Sequence, residues 1–318
     1  MHRAGKWLLV LLVNVVAVPA ATATEQKGTK PAPPVLLSPA VDAGHEQISN
    51  GVNLFVNWVD EFFGSERVYE ETPKNYVKLS LREINRKGGK REYRADLSAK
   101  VNLPRMQERF KLLIESEPET QGLEGTPEGQ DLLGTPGQGK STTAAIRYVA
   151  KETPVWNIHA DAGLRNNGGP DIFTRLRARR TVFFAPWSVH MAETLFWYDS
   201  LGAGETTHVD FERYLREDIL FRATTEATWR KETDYFDLLQ NLDFLHKISR
   251  MRSMIYRAAA IGVTEPTTHA TNYILSVRWR QLIHRDWLFF EINPQIDYPQ
   301  ELHYAADPSL TFRLDVIF

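Results

Sequence analysis

From Tyr76 to Phe318 the chain keeps a rhythm of two, and no other feature of it restricts the fold as tightly. The last ten residues show it most plainly. Leu310, Phe312, Leu314, Val316 and Phe318 occupy every second position, with Thr311, Arg313 and Asp315 among the residues between. Consecutive side chains of a strand point to opposite faces, so this segment has one apolar face and one polar face. The same alternation recurs upstream. Tyr93, Ala95, Leu97, Ala99, Val101 and Leu103 enclose Arg94, Asp96 and Lys100; Trp156, Ile158, Ala160, Ala162 and Leu164 enclose His159 and Asp161. Phe221 to Trp229 encloses Glu226, Tyr273 to Trp279 encloses Arg278, and Glu291 lies between Phe290 and Ile292. Each run is close to the length that a tilted strand needs to cross a bilayer, about nine to eleven residues.

Turn-forming residues separate the runs: Gly88-Gly89, Asn166 to Pro170, Gly202-Ala203-Gly204, Thr264-Glu265-Pro266 and Ala306-Asp307-Pro308. Shorter reversals fall near Pro104, Pro154, Pro186, Arg222, Arg250 and Asp286. This segmentation predicts an all-β chain of about fourteen antiparallel strands, or twelve if two weak runs form one loop. Trp187, Trp197, Tyr198, Trp229, Trp287 and Tyr298 cluster near strand ends, where interfacial aromatic girdles sit.

The beginning of the chain has a different grammar. His2, Arg3 and Lys6 precede an apolar run from Trp7 to Val18 and the small residues Ala21-Thr22-Ala23, the three parts of a secretory signal peptide with cleavage near Ala23. Residues 24–48 are Pro-rich and aperiodic, an extended linker. Residues 49–64, from Ser49 to Gly64, place Val52, Phe55, Val56, Val59, Phe62 and Phe63 on one side of a short amphipathic helix. The strand region then occupies 76–318.

This export signal, the sustained alternation and the terminal aromatic together resemble Gram-negative outer-membrane β-barrel proteins. Their closing strand carries the pattern seen here at Leu310, Phe312, Leu314, Val316 and Phe318, which the barrel-assembly machinery reads as its signal. The resemblance implies a transmembrane, up-and-down antiparallel barrel in the outer membrane, with lipid and that machinery as partners and no cofactor. With both termini in the periplasm, the longest connection (roughly 118–140) faces outside. Apolar residues then meet lipid, and the candidate lumen-lining set is Arg94, Asp96, Lys100, His159, Asp161, Arg175, Arg177, Arg179, Asp210, Glu226, Arg278 and Glu291. Arg175, Arg177 and Arg179 recur at strand spacing and form a cationic row; Arg180 falls on the lipid-facing side. Such a lumen is either filled by ion pairs or carries a field across a pore.

Other chemistries find less support. A net charge of −2 gives no polybasic footprint for nucleic acid, and the absence of cysteine excludes thiolate sites and disulfides. Gly134 to Ser141 matches the phosphate-loop pattern letter for letter, but only Leu132 and Leu133 stand where a buried strand should precede it, so a Gly/Pro-rich surface loop is expected, without nucleotide. His159 and Asp161 could supply two metal ligands, yet no third is identifiable. Ser188 and His190 are two residues apart in an expected periplasmic turn, which argues against a hydrolase. The expected function is a passive channel for small polar solutes. The alternatives are a closed barrel that docks partners through residues 49–64, and a lipid-modifying outer-membrane hydrolase.

Overall fold

The computed structural model describes residues 75–102, 109–118, 140–153, 155–166, 169–284 and 287–318. The signal segment, the linker, the Ser49–Gly64 segment and the Gly134–Gly139 stretch lie outside them. Fourteen strands follow in order: β1 (Tyr76–Arg86), β2 (Lys90–Asn102), β3 (Phe110–Pro118), β4 (Lys140–Glu152), β5 (Trp156–Asn166), β6 (Pro170–Phe184) and β7 (Trp187–Tyr198). They continue with β8 (Gly202–Arg216), β9 (Ile219–Arg230), β10 (Phe236–Ser249), β11 (Arg252–Val263), β12 (His269–His284), β13 (Leu288–Pro299) and β14 (Asp307–Ile317). Each strand is antiparallel to the next, and β14 pairs with β1 to close a barrel.

Closure is what makes the sheet tolerable in lipid, because each strand has a neighbour on both sides and no edge strand remains. The seam extends to the last residue: Val77 N–H donates to the Phe318 carbonyl at 3.1 Å and Phe318 N–H to the Val77 carbonyl at 2.8 Å. Two-residue turns at 185–186, 217–218 and 250–251 lie at the end where both termini emerge. The connections at 87–89, 199–201, 231–235, 264–268 and 300–306 lie at the opposite end. At the β1–β2 turn, Gly88 and Gly89 take φ of +83° and +77°, a left-handed conformation that side chains with a Cβ resist.

The alternation sorts the side chains by face. Leu97, Ile146, Leu164, Leu176, Leu195, Leu242 and Leu275 are exposed on the outside, as expected of residues whose solvent is lipid, while the charged residues between them are buried inside. Arg180 stays on the outward face, its guanidinium 5.3 Å from the Trp156 ring, near the end of the barrel where β1 begins and β14 ends. There a cation can reach water along an aromatic, so no shift of register is needed.

Three boundaries differ from the sequence reading. Gly202–Gly204 belongs to β8, and the reversal is Asp199–Leu201. Gly204 is a strand glycine because the Phe196 ring of β7 lies over it, where any Cβ would collide. Arg222 is not a reversal; it sits inside β9, directed into the barrel by a 2.7 Å bond to Glu212, and the chain turns at Glu217–Asp218. Asp307 and Pro308 already belong to β14, the turn being completed by a 3-10 segment at Gln300–Leu302. Tyr198 departs from the girdle as well: it is inward and buried, stacked on Phe173 at 5.4 Å.

Candidate functional site: the charged lumen

Among the described residues, inward positions of the strands carry most of the buried charge. The densest group spans β4, β5 and β6. Asp161 projects from β5 and accepts two hydrogen bonds from Arg147 of β4, at 2.7 and 2.9 Å. From the other side it accepts two more from Arg175 of β6, at 3.0 and 2.9 Å. The register explains the convergence: Asp161 is directly opposite Arg147 on one neighbour and Arg175 on the other. Arg177 and Arg179 continue the row on β6, both buried, and His159 stands beside Asp161 with its Nδ1 3.1 Å from Asn157 Oδ1.

The other residues of the candidate set share this inward side. On β2, Asp96 accepts from Arg82 of β1 at 2.6 Å, Arg94 donates to Glu92 at 2.6 Å, and Lys100 lies over the Tyr76 ring at 5.8 Å. Asp210 on β8 accepts from Thr224 at 2.6 Å, and Glu226 on β9 lies 2.9 Å from His208. On β12 and β13, Arg278 is 3.5 Å from Glu291, which Arg280 also approaches at 3.2 Å.

Several inward groups were not singled out from sequence. Arg280 is fully buried and joins Glu291 to Asp315 of the closing strand, at 2.6 Å. His208 is clamped between Asp210 (3.0 Å) and Glu226 (2.9 Å), Arg257 binds Asp243 twice (2.8 and 2.7 Å), and Arg165 binds Asp171 at 2.8 Å. Thr206, His208, Asp210 and Glu212 recur at every second position of β8, so their common face was legible. Their partners were not, because those depend on the register with β7 and β9.

Ser188 and His190 lie within β7 rather than in a turn, and both are buried on its inward side. His190 stands 2.9 Å from the Thr181 hydroxyl and 3.2 Å from Glu212, which also accepts from Arg222. The strand alternation carries both residues inward where a turn would have placed them at the rim. Lys140 and Ser141, the end of the phosphate-loop pattern, begin strand β4; such a loop opens a helix.

Charge is distributed unevenly around the circumference. On β1–β6 the inward cations Arg82, Arg94, Lys100, Arg147, Arg175 and Arg177 face fewer acids, chiefly Asp96, Asp161 and Asp171. On β8–β10 the acids Asp210, Glu212, Glu226, Asp237 and Asp243 outnumber Arg222 and Arg230. The ion pairs named above join side chains of one strand, of neighbouring strands or, for Arg280 and Asp315, of strands two apart. They lie along the wall. Fourteen strands spaced about 4.8 Å apart and tilted by about 40° enclose a backbone cylinder roughly 28 Å across, a span that these pairs do not bridge.

No protein-family model matches the chain, and no curated protein sequence matches it. Solved structures do. The CymD monoaromatic hydrocarbon channel aligns over 79% of this chain and 89% of its own, with a TM-score of 0.51 and 6% identity. The outer membrane channel DcaP of Acinetobacter baumannii aligns over 77% and 96%, with a TM-score of 0.45 and 10% identity. A loop-deletion mutant of OmpT, an outer membrane protein of Vibrio cholerae, aligns over 77% and 98%, with a TM-score of 0.46 and 8% identity. At such identities the likeness is one of fold. By its closed sheet, apolar exterior and charged interior, the described part of the chain has the fold of the outer-membrane β-barrels, with fourteen antiparallel strands closed on themselves.

Proposed function

We propose that the barrel is a passive channel for small polar solutes, with a field across its lumen set by the basic β1–β6 wall and the acidic β8–β10 wall. The observation that carries this reading is the direction of the ion pairs. Arg147–Asp161–Arg175, Arg222–Glu212 and Arg257–Asp243 run along the wall between adjacent strands, which holds long side chains flat. Guanidiniums fixed on one side and carboxylates on the other orient a dipolar solute as it passes, while bound waters and mobile ions screen the remainder. Nothing in this scheme requires a cofactor.

The test is ion conductance. The mature protein, refolded and inserted into planar bilayers, should give discrete open-channel currents in potassium chloride. Well-folded protein that inserts and carries no current would refute the reading.

A further inference from the structure

The outward face of β7–β10 carries polar side chains at a depth where a lipid-facing surface should carry none. Along β7 the outward row is Trp187, Val189, Met191, Glu193, Leu195 and Trp197; along β9 it is Ile219, Phe221, Ala223, Thr225, Ala227 and Trp229. Aromatics bracket both rows, which places Glu193 and Thr225 toward the middle of the hydrocarbon. Thr207 of β8 donates to Glu193 at 2.8 Å, and Thr225 donates to Gln240 of β10 at 2.7 Å. Gln240 also donates one of its amide hydrogens to the Thr224 carbonyl at 3.0 Å. Glu193, Thr225 and Gln240 are exposed.

These four residues lie level. Glu193 is opposite Thr207, Thr207 is opposite Ala227, and Thr225 is opposite Gln240. The strands slant: Trp187 at the start of β7 is opposite Arg213, yet β8 runs on to Arg216 before it turns at the same end. A line perpendicular to the strands therefore climbs from β7 to β9, and stepping back from Ala227 to Thr225 returns to the depth of Glu193. The outcome is a belt of Glu, Thr, Thr and Gln on four consecutive strands.

A carboxyl group facing acyl chains is costly, and one hydroxyl does not satisfy its acceptor capacity. Something polar must cover the belt. Its order is self-complementary: a two-fold axis along the membrane normal, between β8 and β9, sets β7 of one copy against β10 of the other and β8 against β9. Glu193 then meets Gln240, whose amide has a second hydrogen to donate, and Thr207 meets Thr225. Ala223 and Ala227 flank Thr225, and small residues let membrane-embedded surfaces approach closely. We infer that this face is a dimer interface, covered by a second copy of the chain in that two-fold arrangement.

The chain has no cysteine, so introduced thiols report without interference. Thr207→Cys and Thr225→Cys are made separately in the full-length protein, given different affinity tags and assembled together in the outer membrane. Oxidation should yield a doubly tagged disulfide dimer from the mixture, and far less from either variant alone or from Leu164→Cys. Adding Glu193→Leu or Gln240→Glu should reduce the yield by about tenfold, as loss of a charge-assisted hydrogen bond does. The exchange of Glu193→Gln with Gln240→Glu should restore it. Folding of every variant is read from heat-modifiable migration. A monomer in detergent and membrane alike, equal cross-linking at Leu164, or a cross-link to a different protein would overturn the inference. Lipid found stably bound over the belt would overturn it too.

Discussion

Asp161→Asn should be among the most damaging single-atom exchanges in the lumen, and its cost follows from the geometry. The wild-type carboxylate is fully buried at its side chain and holds two guanidiniums, Arg147 with 4% side-chain exposure and Arg175 with 16%. Four hydrogen bonds converge on it, and an amide can accept through only one oxygen. Removing one partner of a buried pair costs about 3–5 kcal/mol when the orphaned charge stays buried. Arg175 is the more exposed of the two guanidiniums and has some freedom to turn away, which moves the expectation to about 3 kcal/mol, a factor of roughly 100 in the unfolding constant. Asp243→Asn is the internal comparison, because Asp243 holds one guanidinium, Arg257, with help from Asn241. It should cost about half as much, roughly 1.5 kcal/mol. The assay is reversible urea unfolding in lipid vesicles, followed by tryptophan fluorescence. A loss below about 1 kcal/mol for Asp161→Asn, or a larger loss for Asp243→Asn, would refute the reasoning.

Three further outcomes are expected. Gly204→Ala should destabilise the barrel by about 1–3 kcal/mol in the same assay, since its Cβ meets the Phe196 ring, and Phe196→Leu in the same chain should recover part of that loss. Neutralising the basic wall with Arg177→Ala and Arg179→Ala should shift the zero-current potential in a salt gradient toward cation preference; no shift would remove these two from the conduction path. Phe318→Ala should leave stability in vesicles within about 0.5 kcal/mol, because the ring is exposed and the seam is backbone, yet slow assembly in cells, measured by pulse-chase.

Much of the fold was legible because one rule governs the whole strand region. A period of two, sustained from Tyr76 onward, both defines strands and assigns faces, so the inward side of Arg94, Asp161 and Glu226 follows from counting. Boundaries were harder. Gly202–Gly204 has turn composition, yet Gly204 is needed in β8 to accommodate Phe196, a contact with a neighbouring strand that no local window contains. Tyr198 was grouped with the girdle by its nearness to Trp197; the alternation that turns Trp197 outward turns Tyr198 inward. Pairing was mostly hidden, apart from the arginine row of β6 beside Asp161 across one turn. That Asp161 would gather arginines from both flanking strands, or that Arg280 would reach Asp315 two strands away, depends on register, which hydrophobic pattern alone fixes only to within a face. The polar belt at Glu193, Thr207, Thr225 and Gln240 emerges only when register and slant are combined.

The central claim is that alternate residues of each strand face lipid and an enclosed, water-filled lumen. Cysteine scanning along β6 tests it most directly: Thr174→Cys through Arg179→Cys, one at a time, in a chain that otherwise lacks thiols. Positions 175, 177 and 179 should react with a charged, membrane-impermeant thiol reagent and lose conductance as they do so, while 174, 176 and 178 remain unreactive and are reached instead by a lipid-borne quencher. Uniform reactivity along the strand, or modification at 175, 177 and 179 without any change in current, would contradict the account.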